Sequence, residues 1–172
     1  MLMKLVRSAS ILMCFLMMVA CSTDNANEAV VNYKVVNDFS YNQEELQIEQ
    51  KINEYRISKG LPTLDKINHI SYLSEGHDAY MISTKIVDHS YFNEREQNLK
   101  VTLGAKKVGE NIAYGYGTIS ATFNAWLNSD LHRMNIEGDY TNFGVAVRKD
   151  GNGTMYITLS LIHISEPTRP LY

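Results

Sequence analysis

A hairpin signal in the last quarter of the chain most constrains its fold. The run Asp150-Gly151-Asn152-Gly153 is typical of a tight turn between two antiparallel strands. Residues 143–147 before the turn and residues 155–158 after it are apolar segments of strand length. Since helical patterns come earlier in the chain and these strands come late, the order predicts an α+β fold.

Three stretches before the hairpin carry helix signals. Asn42 followed by Glu45 forms a capping-box pattern that predicts a helix start, and Gly60 predicts the end of that helix. Apolar residues at helical spacing predict a second helix over residues 66–85 and a third over residues 118–127.

The region after the second helix gives a weaker signal. Residues 88–108 are polar and charged, and we interpret them as a loop with short helical turns. Within the second helix, His77 shares one face with Leu73 and Met81, so we expect a core histidine rather than a ligand there. His69 is expected on the solvent-facing side of the same helix.

The first twenty residues have the composition of a secretory signal peptide. Two basic residues precede the uncharged run 11–20, which is too short to cross a bilayer as a stable helix. Met18-Val19-Ala20-Cys21 is similar to the lipobox of bacterial lipoproteins, in which the cysteine is lipidated and the peptide is cut before it. The alternative is an ordinary secretory signal followed by an incidental cysteine.

The lipobox resemblance implies a membrane partner and a location. Residues 1–20 would be removed, Cys21 would carry the lipid, and residues 21–37 would form a polar tether. The protein would then be anchored in a bacterial cell envelope, on the extracytoplasmic side. Several acyl chains on one residue give firm anchoring, where a single chain is marginal.

The last fourteen residues have an unusual match. Leu159 to Arg169 back-translate into the adapter used in transposase-based sequencing libraries. This match predicts that residues 159–172 are not native and that the strand after the hairpin is truncated at Thr158. The alternative is a natural apolar strand with a proline-containing tail. The folded domain would then comprise residues 38–158.

The charge balance excludes one class of protein. The chain has 16 Lys and Arg against 19 Asp and Glu, a net charge of −3, and therefore no basic excess to replace phosphate counterions. We expect no nucleic-acid partner and a monomeric protein. Removal of residues 1–20 would leave Cys21 as the one cysteine, so no disulfide is expected.

Three polar segments carry the candidate chemistry. They are Asp88-His89-Ser90, Gly109-Glu110-Asn111-Ile112 and the run from Trp126 to Ile136. Two imidazoles and a carboxylate, from His89, His132 and Glu110, can hold a divalent metal such as zinc. Without a metal, a carboxyl group beside an imidazole can act as a general acid–base pair.

Structural roles are the alternative for these residues. Glu110 could brace a turn by accepting backbone N–H bonds, and His132 could form a hydrogen bond with Ser129. Asn111 suits a bracing role because its side chain both donates and accepts.

The three segments, in this order and followed by the late Gly-Val strand, are similar to the CAP superfamily in its bacterial form. This superfamily includes the cysteine-rich secretory proteins, antigen 5 and pathogenesis-related 1. The resemblance implies a three-layer α-β-α sandwich with an antiparallel sheet. It also implies a polar cleft lined by His89, Glu110 and His132, with Asn111 and Ser129 in supporting positions.

The sequence departs from the eukaryotic members at several of these positions. Those relatives line the cleft with two His and two Glu, of which His89 and Glu110 match the first of each. Ser129 stands where the second Glu would fall, and Asp130-Leu131 replaces the usual Pro-Gly. The G-H-Y-T-Q motif that carries the second eukaryotic His is not found, so a cleft of three polar residues is expected.

Three functions follow from the resemblance and its departures. The first is an extracytoplasmic binding or interaction module for a protein, peptide, glycan or lipid. We favour it over an enzyme because the sequence has no G-x-S-x-G motif and no free cysteine nucleophile. The alternative is a zinc-assisted hydrolase or peptidase that uses His89, Glu110 and His132. Lipid or sterol binding, by superfamily analogy, comes third.

Resequencing of the genomic locus tests the origin of residues 159–172. We expect the native gene to depart from the adapter string after codon 158, because eleven matching residues in a row have little chance of arising by accident. Genomic DNA that encodes the same tail would contradict this prediction.

Overall fold

A computed structural model describes residues 32–165, which form five helices and four strands. The helices are α1 Gln43–Ser58, α2 Asn68–Thr84, α3 Phe92–Leu103, α4 Ile119–Asn128 and α5 Asp130–Ile136. The strands are β1 Asp65–Lys66, β2 Lys107–Tyr114, β3 Asn142–Lys149 and β4 Met155–His163. The predicted signal peptide, Cys21 and residues 166–172 lie outside the described residues. Among residues 32–165, no helix is both long and apolar enough to cross a bilayer.

The four strands form one sheet in the order β1-β3-β4-β2, with helices on both faces. Both long pairs, β3 with β4 and β4 with β2, are antiparallel, while the two-residue β1 pairs with β3 in parallel. Helices α1, α4 and α5 contribute to the core on one face, and α2 and α3 to that on the other. This confirms the predicted α+β class and α-β-α sandwich, with the parallel β1 as an unpredicted addition.

The first helix has the predicted start and end. Asn42 Oδ1 accepts the N–H of Glu45 at 2.9 Å, and Glu45 Oε2 accepts the N–H of Asn42 at 2.8 Å, which completes the capping box. Gly60 follows the helix with φ 71°, a left-handed conformation that glycine adopts without steric cost.

The prediction of a loop over residues 88–108 is wrong, because α3 fills residues 92–103. Its buried apolar residue is Leu99, which clusters with Ile70, Ala105 and Ile162, and the partly buried Leu103 packs against the same cluster. Most of the other side chains of α3 are polar, so its sequence lacks the periodic apolar stripe that usually marks a helix. Gly104 ends the helix with φ 70°.

The prediction of a solvent-facing His69 is also wrong, since only 1% of this residue is exposed. Its Nδ1 accepts the backbone N–H of Val36 at 3.2 Å, so the ring proton is on Nε2, which donates to Asn98 Oδ1 at 2.8 Å. His69 therefore ties the segment before α1 and the middle of α3 to α2.

The hairpin after β3 forms as predicted, and β4 continues through Leu159 to His163 without a break. Strand β4 lies between β3 and β2 and is buried on both faces, an environment that favours a continuous apolar run. The adapter origin of residues 159–172 stays a prediction. If the native gene differs there, it has to supply another apolar strand that fits between β3 and β2.

A polar cluster is buried where α2 meets β4. Thr158 Oγ1 donates to Asp78 Oδ1 at 2.6 Å, and His77 Nδ1 lies 3.0 Å from the same hydroxyl. Burial raises the pKa of Asp78 well above its usual range, an effect that outweighs the hydrogen bond from Thr158. His77 is a core histidine, as predicted, and burial lowers its pKa.

Asp78→Asn is expected to remove a pH-dependent loss of stability. Because the folded-state pKa of Asp78 is raised, its contribution is complete below the ordinary carboxyl range and is lost as the pH rises through the folded-state value. Asparagine imitates the protonated acid, so the variant should lack this decline, which has a slope of up to about 1.4 kcal/mol per pH unit. Urea unfolding between pH 4 and pH 8 measures it.

The control for this prediction is Asp38→Asn, which neutralises an exposed carboxylate. Its free energy of unfolding should follow the same pH profile as that of the unchanged chain. An unchanged pH profile in Asp78→Asn would contradict the prediction.

Candidate functional site

The candidate site lies at β2, the strand at one edge of the sheet. Successive side chains of a strand point to opposite faces. Glu110 therefore faces α3, while Asn111 faces α5. The Gly-Glu-Asn segment that stood out in the sequence thus joins both helical layers at one point.

Glu110 is almost fully buried and both of its carboxylate oxygens are engaged. Arg95 Nε donates to Oε2 at 2.9 Å and Arg95 Nη2 donates to Oε1 at 2.7 Å, which makes a bidentate pair. His89 Nδ1 donates to Oε1 at 2.9 Å. Burial by itself would raise the pKa of Glu110, but the hydrogen bonds from His89 and Arg95 outweigh it and lower that pKa. Glu110 is therefore a carboxylate at neutral pH.

His89 is half exposed, above the carboxylate that it contacts. Since an ionised carboxylate only accepts hydrogen bonds, the proton of a neutral His89 lies on Nδ1 and leaves Nε2 as a free acceptor. A surface cavity of about 370 Å³ adjoins this ring and is lined by residues 89–94. His89 is thus the part of the site that a ligand can reach.

His132 lies on α5 and is partly buried. Burial, with a smaller contribution from His89, lowers the pKa of His132, so its imidazole is neutral at neutral pH. Among the described residues, no hydrogen bond joins the His132 side chain to Ser129. Ser129 instead joins α4 to α5, where its carbonyl accepts the N–H of Arg133 at 2.8 Å.

Two asparagines hold α5 against β2. Asn111 Nδ2 donates to the carbonyl of His132 at 3.0 Å, and Asn135 Nδ2 donates to Asn111 Oδ1 at 2.8 Å. These hydrogen bonds fix the position of the His132 backbone relative to β2, the strand that carries Glu110. A Cβ at Gly109 would lie 2.3 Å from the Tyr140 hydroxyl, so only glycine allows this close packing.

The arrangement does not fit a zinc ion. Zinc would need a free oxygen of Glu110, but a guanidinium group already binds both oxygens and would repel a second cation at that distance. Within residues 32–165, no group of three or more His, Cys, Asp or Glu side chains is gathered closely enough to hold a metal. His89 and Glu110 are in contact, but the two residues and His132 do not form a ligand set among the described residues.

Arg95 is the site residue that sequence reasoning missed. It lies in the segment that was predicted as a loop, so the sequence analysis placed it on no helix face. A signal was available, since Arg95 is four residues before Leu99 and therefore shares the buried face of α3. An arginine on the apolar face of a short helix indicates a buried carboxylate partner.

A sequence model described as the cysteine-rich secretory protein family, CAP, matches residues 49–161. The match begins inside α1 and ends inside β4, so it includes all three layers and every residue of the candidate site. It covers about two thirds of the chain.

Known relatives and solved structures agree with this match. The uncharacterized membrane protein YlbC of Bacillus subtilis (strain 168) is 31% identical over 107 residues, which are 60% of this chain and 31% of that protein. This chain therefore matches about a third of the length of that curated relative. An extracellular protein of Bacillus anthracis str. Ames that contains an SCP domain superposes with a TM-score of 0.62 and 26% identity, over 70% of this chain and 40% of that one.

An outer surface protein of Borrelia burgdorferi has the same fold. Its TM-score is 0.65 at 17% identity, and the match covers 76% of this chain and 100% of that one. At this identity the likeness concerns the fold alone.

Arg95→Met is expected to destabilise the protein by about 3–5 kcal/mol, because it leaves the Glu110 carboxylate buried without its main counterion. The double variant Arg95→Met, Glu110→Met should recover most of this loss, since it buries no charge. Urea unfolding at pH 7 measures both.

Lys100→Met is the matched control on the same helix. Lys100 pairs with Glu96 near the surface, so its loss should cost less than about 1 kcal/mol. A variant Arg95→Met as stable as Lys100→Met would show that the buried pair does not hold the site together.

Proposed function

Because this chain belongs to the cysteine-rich secretory protein (CAP) family, we propose that it acts outside the cytoplasm as a binding module of a bacterial cell envelope. One structural relative, at 26% identity, is an extracellular protein, and YlbC is described as a membrane protein. Attachment through a lipidated Cys21 and a tether of residues 21–37 fits that location and completes the proposal.

The engagement of Glu110 is the observation that carries a binding role. Its two oxygens are used by Arg95 and His89, so the carboxylate orients an imidazole instead of facing a substrate or a metal. The groups left for a ligand are His89 Nε2 and the polar atoms of the cavity beside it. Such groups recognise hydrogen-bond donors on a ligand.

The ligand surface is small and open. The cavity of about 370 Å³ beside His89 is at the low end of the size range of small-molecule sites. Only part of a larger molecule would enter it, which suits one residue or sugar unit of a polymer in the envelope. This reasoning favours a peptide or glycan over a whole lipid or sterol.

A metal-free acid–base enzyme is the second candidate, and one observation favours it. An imidazole whose Nδ1 donates to a buried carboxylate and whose Nε2 is free has the arrangement of a general base with its orienting group. In that case His89 would accept a proton from water or from a substrate hydroxyl. The zinc-dependent version has no comparable support, since Arg95 occupies Glu110.

Binding of the detergent-solubilised full-length chain to purified cell-wall and membrane fragments tests the proposal. We expect His89→Ala to weaken binding by roughly tenfold, because it removes the imidazole that lines the cavity. The unchanged chain should release no soluble product from the fragments. Circular dichroism confirms that the variant is folded.

Gln97→Ala is the control, because this side chain is exposed on α3 and is not among the residues that line the His89 cavity. Product release that is lost in His89→Ala but kept in Gln97→Ala would replace the binding role with the acid–base enzyme. Equal binding by all of these chains would contradict both functions of the site.

A further inference from the structure

A second groove runs along the outer face of α2, next to the start of α3. Its cavity volume is about 440 Å³, and the lining residues used below are Tyr72, Leu73, Gly76, Ala79, Tyr80 and Tyr91. Tyr91 also lines the cavity beside His89, so the two surfaces are continuous. We propose that this groove binds a neutral saccharide chain with N-acetyl groups.

Gly76 is the first observation that points to a ligand. It lies in the middle of α2, where an exposed glycine destabilises a helix relative to alanine. Neither its backbone conformation nor its packing among the described residues requires glycine, because its φ is not positive and an added Cβ would meet none of their atoms within 4 Å. A glycine without a packing reason, on the floor of a groove, allows a ligand to approach the helix backbone.

Tyr91 is the second observation. Its backbone is left-handed, with φ 60°, a conformation that costs free energy for a residue with a side chain. Tyr91 nevertheless remains 60% exposed. Its ring packs edge-to-face on Tyr80, with the centroids 5.3 Å apart. The strained backbone thus holds an exposed aromatic ring at a fixed angle where the two cavities meet.

The charged groups at the groove are already paired. Arg95 binds Glu110, and Glu75 accepts two hydrogen bonds from Arg148, at 2.8 Å and 2.6 Å. Arg148 also pairs with Glu45, so both guanidinium groups are occupied and an anionic ligand would find no free counterion among these groups. The groove therefore disfavours an anion and suits an uncharged molecule.

The remaining surface suits a sugar chain. The C–H face of a sugar ring packs on an exposed aromatic ring while its hydroxyl groups stay in water, and Tyr72 and Tyr91 offer two such rings, 47% and 60% exposed. Leu73 and Ala79 add apolar surface to the same cavity, where the methyl group of an acetamido substituent would lose its contact with water. Hydroxyl groups of the tyrosines provide hydrogen bonds at the rim.

Isothermal titration of the detergent-solubilised full-length chain with the β-1,4-linked tetramer of N-acetylglucosamine tests this proposal. Tyr91→Ala and Tyr72→Ala should each weaken binding by roughly tenfold. Gly76→Ala is the decisive variant, because its methyl group should weaken binding while the melting temperature rises by roughly 2 °C. A structural glycine would give the opposite change in melting temperature.

Gly151→Ala and Tyr116→Ala are the matched controls. Gly151 is a glycine whose added Cβ also meets nothing, and Tyr116 is an exposed tyrosine that lines a different cavity, so both variants should bind as the unchanged chain does. No binding of the tetramer, or full binding by Gly76→Ala, would overturn the proposal. This groove rests on the proposed binding function, but the two proposals can fail separately. His89→Ala alters only the neighbouring cavity and leaves Tyr72 and Gly76 of the groove in place.

Discussion

The free edge of β3 is closed by side chains of α1 and α2, and the positions of both helices depend on this closure. Within residues 32–165, the two-residue β1 is the only strand that pairs with β3 on that side. Ser71 Oγ accepts the N–H of Val145 at 3.1 Å, and Glu45 Oε1 accepts that of Val147 at 3.0 Å. Gly144 permits the approach, because a Cβ there would lie 2.3 Å from the backbone nitrogen of Ser71. The hydrogen-bonding groups of an open edge are thereby satisfied without another strand.

Both candidate surfaces follow from the position of α2. Its inner face is fixed on β3 and β4, so its outer face and the loop that leaves it are held in place as well. His89 lies in that loop and contacts Glu110. The outer face of α2 carries Gly76, Tyr72 and Tyr80 of the groove. Arg95 then adds the counterion that makes the buried carboxylate tolerable. Substitutions in the core of α2 should therefore affect the two surfaces together.

Some features of the chain were predictable because their signals are local. The capping box of α1, the glycine turn of the hairpin and the spacing of α4 each depend on residues within a few positions of one another. The failures have a common cause in contacts between distant segments. Helix α3 depends on one buried leucine and on Arg95, and β1 depends on pairing with a strand that follows 76 residues later. His69 is buried where the segment before α1 and the middle of α3 both contact it.

The sequence by itself determined the order of helices and strands, the family resemblance and the residue types of the site. The family resemblance predicted a cleft lined by His89, Glu110 and His132, and the structure joins the first two by a hydrogen bond. Only the tertiary structure decided how Glu110 is used, since that depends on Arg95 reaching it from another helix with a bidentate geometry. The nearest charge determines the protonation state of a buried carboxylate and which groups it can still bind. Packing, rather than spacing along the chain, determines which charge is nearest.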